Sequence, residues 1–256
     1  MIKISVVTPS IRKDGLDIVK KALEAQSFKD FEWVVCSPFN LPKDFADLNF
    51  KWIEDEAEFG FWGLNRSYNR LFKEAEGELV VSLQDWIYVN QDGLQKFWDN
   101  YQAVGPRALI SGVGDQYAGL DKWGKPEIKI WSDPRKRLDY GSFYECHSND
   151  LEWNWASIPR EAMFEIGGAD EELDMRGFGG DQLQICERLD ILGYKFYLDQ
   201  TNESYTIRHD RSDYNGQDNW DSNHVLFNGE YDKRKLELIE KGEWPVLHYL
   251  KHDDMI

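Results

Sequence analysis

Positive charge is scarce in this chain: 30 lysines and arginines stand against 47 aspartates and glutamates, a formal charge of -17 over 256 residues. A field of that sign repels phosphate backbones and argues against binding duplex nucleic acid over a broad surface, while leaving room for a local basic pocket that takes one nucleotide. Cysteine is nearly absent. Cys36, Cys146 and Cys186 are odd in number, far apart and without a Cys-x-x-Cys pair, which argues against a disulfide framework and a structural zinc site. They are expected as reduced thiols, with Cys36 in the core. Long apolar runs are also missing, so no stretch approaches the length that spans a bilayer. Residues 1–8, broken by Lys3, read as a first strand rather than a signal peptide, and the expectation is a soluble, cytoplasmic protein.

What is present suffices for a large core. With 41% hydrophobic and 14% aromatic residues, the chain is expected to form one α/β domain over 1–256, without internal repeat or linker. Ile2 to Thr8 is a strand covered on both sides, and Leu16, Val19 and Leu23 form the stripe of a following helix. Trp33 to Cys36 predicts a second strand and Phe50 to Ile53 a third. Phe59 to Gly63 leads into a helix over Leu64 to Glu76, which Gly77 is expected to stop in a left-handed conformation. Gly77 to Trp86 reads as a short apolar strand with an isolated carboxylate, Asp85, at its C-terminal end. Open α/β sheets bind ligands in the crevice outside those ends, so Asp85 is a candidate to face a phosphate-bound metal.

A helix from about Asp92 to Ala103 and a strand over Ala108 to Ser111 follow, and the repeated β-α-β order predicts a mostly parallel sheet with helices on both faces. From Gly112 to Asp150 periodicity fades, and loops with a short hairpin over one sheet edge are expected. Trp153 to Ser157 reads as extended, and Pro159 opens a helix that Gly167-Gly168 ends. Arg176 to Gly180 precede a helix that starts at Asp181 and closes at Gly193. Lys195 to Leu198 and Ser204 to Ile207 read as two strands. A charged helix from Tyr231 to Lys241 and the segment Trp244 to Tyr249 complete the chain.

Several of these segments carry a resemblance. Ile4-Ser5-Val6-Val7-Thr8-Pro9-Ser10 looks like a first strand with a nucleotide-contacting turn, followed by Gln26-Ser27-Phe28 and the strand Phe31 to Val35. Gly63 to Asn69 with Ala75-Glu76-Gly77-Glu78, then Leu83-Gln84-Asp85-Trp86, come next. Ser157 to Arg160, Ile166 to Glu171, and Gly180-Asp181-Gln182 with Arg188 complete the set over residues 2–210. In this order the motifs resemble those of family 2 glycosyltransferases, GT-A fold enzymes that use nucleotide sugars. Three positions depart from the family pattern. Ser37 stands where the family has a base-holding aspartate, Asp85 between Gln84 and Trp86 replaces Asp-x-Asp, and Gly180 replaces the glutamate of Glu-Asp.

The resemblance implies a GT-A, Rossmann-like domain with a nucleotide-sugar half over 1–111 and an acceptor half with a C-terminal extension over 112–256. It implies an inverting transfer from a nucleotide diphosphate sugar to a hydroxyl acceptor such as a saccharide, with Mn or Mg as cofactor. Asp85 is the candidate metal ligand or a turn cap, and His209 is a second ligand or an ordinary surface or core histidine. Asp181 is the candidate general base, or else an N-cap. Thr8, Pro9, Ser10, Arg12, Ser37, Asn65, Asn69, Gln84, Asp85 and Trp86 are candidates for the donor, and Trp155, Arg160 and Gln182 for the acceptor. Asn65 and Asn69 equally suit a plain solvated helix face, and most tryptophans in a chain with 11 must serve packing. The competing readings are a catalytically silent binding protein of the same fold and, on a similar sheet, a nucleotidyltransferase. The latter is disfavoured because Thr8 to Arg12 lacks a glycine-rich loop.

Overall fold

The computed structural model describes residues 2–12, 14–40, 48–55, 63–121, 124–176, 181–209 and 229–243. Phe59 to Trp62, Gly177 to Gly180 and Trp244 to Tyr249 lie outside them. The strands are β1 (Ile4–Pro9), β2 (Phe31–Ser37), β3 (Phe50–Glu54), β4 (Leu79–Leu83), β5 (Ile87–Val89), β6 (Ala108–Tyr117), β7 (Lys129–Trp131), β8 (Phe143–Glu145), β9 (Trp155–Pro159) and β10 (Lys195–Ile207). The helices are α1 (Gly15–Glu24), α2 (Leu64–Glu74), α3 (Gly93–Val104), α4 (Arg160–Glu165), α5 (Asp181–Ile191) and α6 (Gly229–Glu240).

The strands form one sheet in the order β3-β2-β1-β4-β9-β6-β10-β5, with β7 added beside β6 and β8 beside β10. The first four are parallel: Val6 pairs with Trp33 and Val81, and Val35 with Trp52. From β1 the chain moves outward to β2 and β3, then returns to β1's other side as β4. The order therefore reverses between β1 and β4, and it is outside the C-terminal strand ends at such a reversal that open α/β sheets bind ligands in a crevice.

Side chains alternate between two cores. Val7, Val34, Val80 and Ile158 meet Leu71 and Phe72 of α2, Met163 of α4 and Leu189 of α5 on one face. Val6, Trp33, Val35 and Val81 meet Leu16, Val19 and Leu23 of α1 and Phe97 of α3 on the other. Each such side chain, fully buried, contributes about 1.5–3 kcal/mol, so two-sided coverage stabilises the parallel strands that hold the crevice. All three cysteines are free, and burial pushes the Cys36 and Cys186 thiols up to about 12.

The second half of the sheet is mixed rather than parallel. β9 enters antiparallel between β4 and β6, with Leu83 opposite Trp155 and Ile110 opposite Ser157. The two late strands expected from the sequence are one continuous β10, with a register shift between Asp199 and Glu203, and β5 pairs antiparallel with its end. The 112–150 region does contain a hairpin, with Gln116 of β6 opposite Trp131 of β7. Its order comes from polar side chains rather than an apolar stripe. Arg135 pairs with Asp133 at 2.6 Å and donates to Ser111 Oγ at 3.2 Å and the Asp150 carbonyl at 2.9 Å.

Gly77 is required for a reason other than the one expected. Helix α2 ends at Glu74, and Gly77 has no left-handed φ. A Cβ on it would lie 2.5 Å from the Ser5 nitrogen and 2.7 Å from the Ile4 carbonyl carbon, so the glycine lets the chain cross β1 at contact distance. Gly77→Ala is expected to destabilise the protein by about 1–3 kcal/mol through overpacking, seen as a lower urea midpoint at unchanged slope. An unchanged midpoint would show that β1 has room to yield.

Candidate active site at the crevice

Two strand ends converge on one carboxylate. Past β1, the Ser10 amide donates to the Cys36 carbonyl at 3.0 Å and fixes the turn against β2. Past β4, the Gln84 amide donates to the Asn154 carbonyl at 3.2 Å, which carries the strand one step further and presents Asp85. The Asp85 carboxylate is buried. Its Oδ2 accepts from Ser10 Oγ at 2.9 Å and Arg12 Nε at 3.2 Å, and its Oδ1 from Arg12 Nη2 at 2.8 Å. A forked guanidinium on a carboxylate is among the stronger polar contacts available to a protein.

The next residue turns sharply. Trp86 has φ of 61°, a left-handed conformation that costs a bulky residue on the order of 1–3 kcal/mol. Its surroundings impose it. The Trp86 carbonyl accepts from the Ile207 amide at 2.8 Å, its amide donates to the Gly15 carbonyl at 3.4 Å, and its indole stacks on His209 with centroids 5.5 Å apart. Gly15 makes space for the indole, since a Cβ there would stand 2.4 Å from Trp86 Cδ1. His209 Nδ1 lies 3.0 Å from the Ile207 carbonyl, and because a carbonyl only accepts, Nδ1 is the donor and Nε2 keeps a lone pair in the neutral ring.

Among the described residues no three His, Cys, Asp or Glu side chains converge to hold a metal. A hard cation that takes phosphate oxygens and water for most of its shell requires fewer, and one carboxylate with one imidazole is a fitting donor set. The carbonyl bond on His209 Nδ1 is the kind that orients a ligating imidazole through its other nitrogen. Asp85 and His209 are the residues that could hold it.

Other candidates have been drawn into the framework. Thr8 is buried with Oγ1 accepting from Trp33 Nε1 at 2.9 Å, Pro9 closes β1, and buried Ser37 accepts from the Phe39 amide at 3.4 Å. All three are buried at the ends of β1 and β2. Asn65 and Asn69 are buried, so the solvated-face alternative is excluded. Asn69 donates to the Ala169 carbonyl at 3.0 Å and Glu171 at 2.9 Å and accepts from the Ala169 amide at 2.7 Å, while Asn65 Nδ2 meets Asp174 at 2.9 Å. Gln84 Nε2 reaches the Tyr68 hydroxyl at 3.5 Å.

Among the residues expected for the acceptor, Gln182 Oε1 accepts from the Trp153 amide at 3.1 Å, which brings the start of α5 to the β9 end that faces Asp85. Asp181 is the first residue of α5, and its side chain lies outside the described part. Trp155 corrects the expectation of an acceptor contact: it is buried, packs on Phe97 at 4.7 Å and donates to Asn202 at 2.9 Å. Arg160 is a second correction. Because β9 runs antiparallel to β4, its end lies at the start of β4, where the Arg160 amide meets the Glu78 carbonyl at 3.0 Å, across the sheet's length from Asp85.

Two residues had no sequence signal. Asp174 caps α2 from a distant segment, accepting from the Asn65 and Arg66 amides at 2.9 Å each, and Gly63 admits it closely. Glu152 stands beside Asn154 at the crevice end of β9, its carboxyl pushed up by burial against the counter-effect of Arg135 at 3.4 Å. Arg188 is fully buried, donates to the Gly168 carbonyl at 2.6 Å and faces Asp170 and Asp232. Burial pushes the Asp232 carboxyl up to about 7, with Arg188 opposing and Glu187 and Asp170 reinforcing the shift.

No family model matches the chain, and no curated protein matches it. Solved structures do. TarS of S. aureus is similar with a TM-score of 0.61 and 15% identity over 80% of this chain and 37% of that one. GalNAc-T7, solved with UDP, GalNAc and Mn2+, has a TM-score of 0.64 and 15% identity over 97% and 52%. The mannosyltransferase PcManGT from Pyrobaculum calidifontis, in complex with GDP-Man and Mn2+, has 0.58 and 14% over 82% and 58%. The chain spans well under two thirds of the length of each of these structures. At these identities the likeness is one of fold, and the chain has the GT-A fold of these glycosyltransferases.

Two outcomes follow from the geometry. Gly15→Ala is expected to push the Trp86 indole off its seat and cost about 1–3 kcal/mol, read as a lower melting temperature with altered tryptophan emission. Unaltered emission would dissociate Trp86 from Gly15. Asp232 holds a proton in the folded protein between its ordinary range near 3.9 and about 7. Its contribution is thus complete at low pH and lost as pH rises through about 7. Melting temperatures should fall between pH 5 and 8 less steeply in Asp232→Asn, and equal slopes would remove Asp232 as the cause.

Proposed function

We propose that the chain is a glycosyltransferase that moves a sugar from a nucleoside diphosphate sugar to a hydroxyl acceptor of saccharide type, with inversion. One observation carries the reading: Ser10 and Arg12 from β1 meet Asp85 from β4 where the strand order reverses, in a fold shared with GalNAc-T7 and PcManGT. Those two proteins were solved with Mn2+ and a nucleotide or nucleotide sugar. The Arg12 guanidinium is a natural partner for a diphosphate, and the first turn of α1 begins three residues later, with no side-chain cap from Asp14. Trp86 and His209 form a rigid wall beside Asp85.

A divalent cation, Mn or Mg, held by Asp85 and His209 would neutralise charge on the departing diphosphate. Asp181, at the N-terminus of α5, is proposed as the base that takes the acceptor's proton, since a helix N-terminus favours a carboxylate. Gln182 and Glu152 stand at the same end and suit acceptor hydroxyls. Cytoplasmic location is proposed from the sequence, and a part in polysaccharide assembly from the family resemblance.

The full engagement of Asp85 by Arg12, with Ser37 and Gln84 in place of acids, favours a second reading: a silent binder of the same fold. Thermal shift with UDP and GDP, with and without Mn2+, followed by turnover of the stabilising donor, separates the two. Transfer is expected, and Asp181→Asn should lower it by about 10²–10⁴ while donor affinity holds. Binding without any turnover would favour the silent binder, and turnover retained by Asp181→Asn would remove the base.

A further inference from the structure

Asp85 is buried beneath Arg12. The aspartate side chain is 2% exposed, whereas that of Arg12 is 24% exposed, so the guanidinium lies between the carboxylate and solvent. Both carboxylate oxygens are engaged, Oδ1 by Nη2 at 2.8 Å and Oδ2 by Nε at 3.2 Å with Ser10 Oγ at 2.9 Å. A divalent cation binds a carboxylate oxygen at about 2.0–2.6 Å, closer than the guanidinium nitrogens at 2.8 and 3.2 Å, so it needs the space on the carboxylate that the fork fills. Two cations crowded on one buried carboxylate would also repel each other, and no cluster of three acidic, His or Cys side chains offsets them among the described residues.

We infer that Arg12 and a divalent cation compete for a single seat on Asp85, so that in the free protein Arg12 excludes the metal. This rests on the proposed donor site, and it adds an order to it. A diphosphate offers the guanidinium several anionic oxygens, draws Arg12 off Asp85 and thereby opens the seat. Metal and nucleotide then enter together, and Arg12 passes from occupying the carboxylate to pairing with the leaving group.

Titration of the intact protein with Mn2+ alone, followed by the paramagnetic resonance of free Mn2+, tests the competition without any nucleotide. Wild type is expected to bind weakly, and Arg12→Gln about tenfold or more tightly, the factor a charge-assisted hydrogen bond is worth. Asp85→Asn in the Arg12→Gln background should abolish the gain, which assigns it to this carboxylate. Arg12→Lys, which keeps the charge and loses the fork, should fall between and serves if Arg12→Gln melts early. Added UDP or GDP should raise Mn2+ affinity in wild type and much less in Arg12→Gln. Equal Mn2+ affinity in wild type and both Arg12 variants overturns the inference. Failure of UDP and GDP to bind any variant would overturn the donor reading instead, and would leave the metal-alone result standing.

Discussion

The ion pair between Arg12 and Asp85 is the contact on which this site depends. It joins the turn after β1 to the turn after β4, the two strands between which the sheet reverses its order. A buried carboxylate without partners would cost several kcal/mol, and three donors on two oxygens offset that cost. The same engagement of both oxygens makes the site responsive. The pair is strong as long as no better anion is offered to Arg12 and no better cation to Asp85, so the proposed donor and metal would each have to break it.

A rigid backing makes that exchange local. The strained Trp86 is held by β10 through the Ile207 amide, by His209 through ring stacking and by the opening of α1 at Gly15. Two segments distant in sequence, the end of β10 and the start of α1, thereby hold the residue next to Asp85. Strain of this sort survives only where neighbours over-determine it, and it is located one residue from the proposed ligand.

Much of this was legible in the sequence, and the reasons for the rest are specific. β-branched runs and apolar stripes mark strands and helices because burial on both faces demands them, and Asp85, Ser10, Arg12, Trp86 and His209 do meet at one place. Strand pairing leaves no such local mark. The antiparallel entry of β9 reverses which end of that segment faces the crevice, and this alone removes Arg160 from the site while keeping Gln182 in it. Trp155 could not be separated from a ligand-stacking tryptophan by composition, since its burial depends on Phe97 and Asn202 far along the chain. Asp174 escaped notice because a cap supplied from another segment has no spacing rule.

The polar side chains of α2 show how the two halves of the chain are kept in register. Asn65 and Asn69 look like a hydrated face by periodicity, yet they clamp Ala169, Glu171 and Asp174, while Arg188 grips the Gly168 carbonyl from α5. Apolar packing alone would tolerate a slide of the second half along the sheet, since hydrophobic contact is not directional. Buried polar groups do not tolerate it, because each lost partner leaves a desolvated donor or acceptor at about 1–3 kcal/mol. The start of α5, and with it Asp181, is thereby tied to the strand end that carries Asp85. A transfer between two substrates of the kind proposed above would require such a tie of its scaffold.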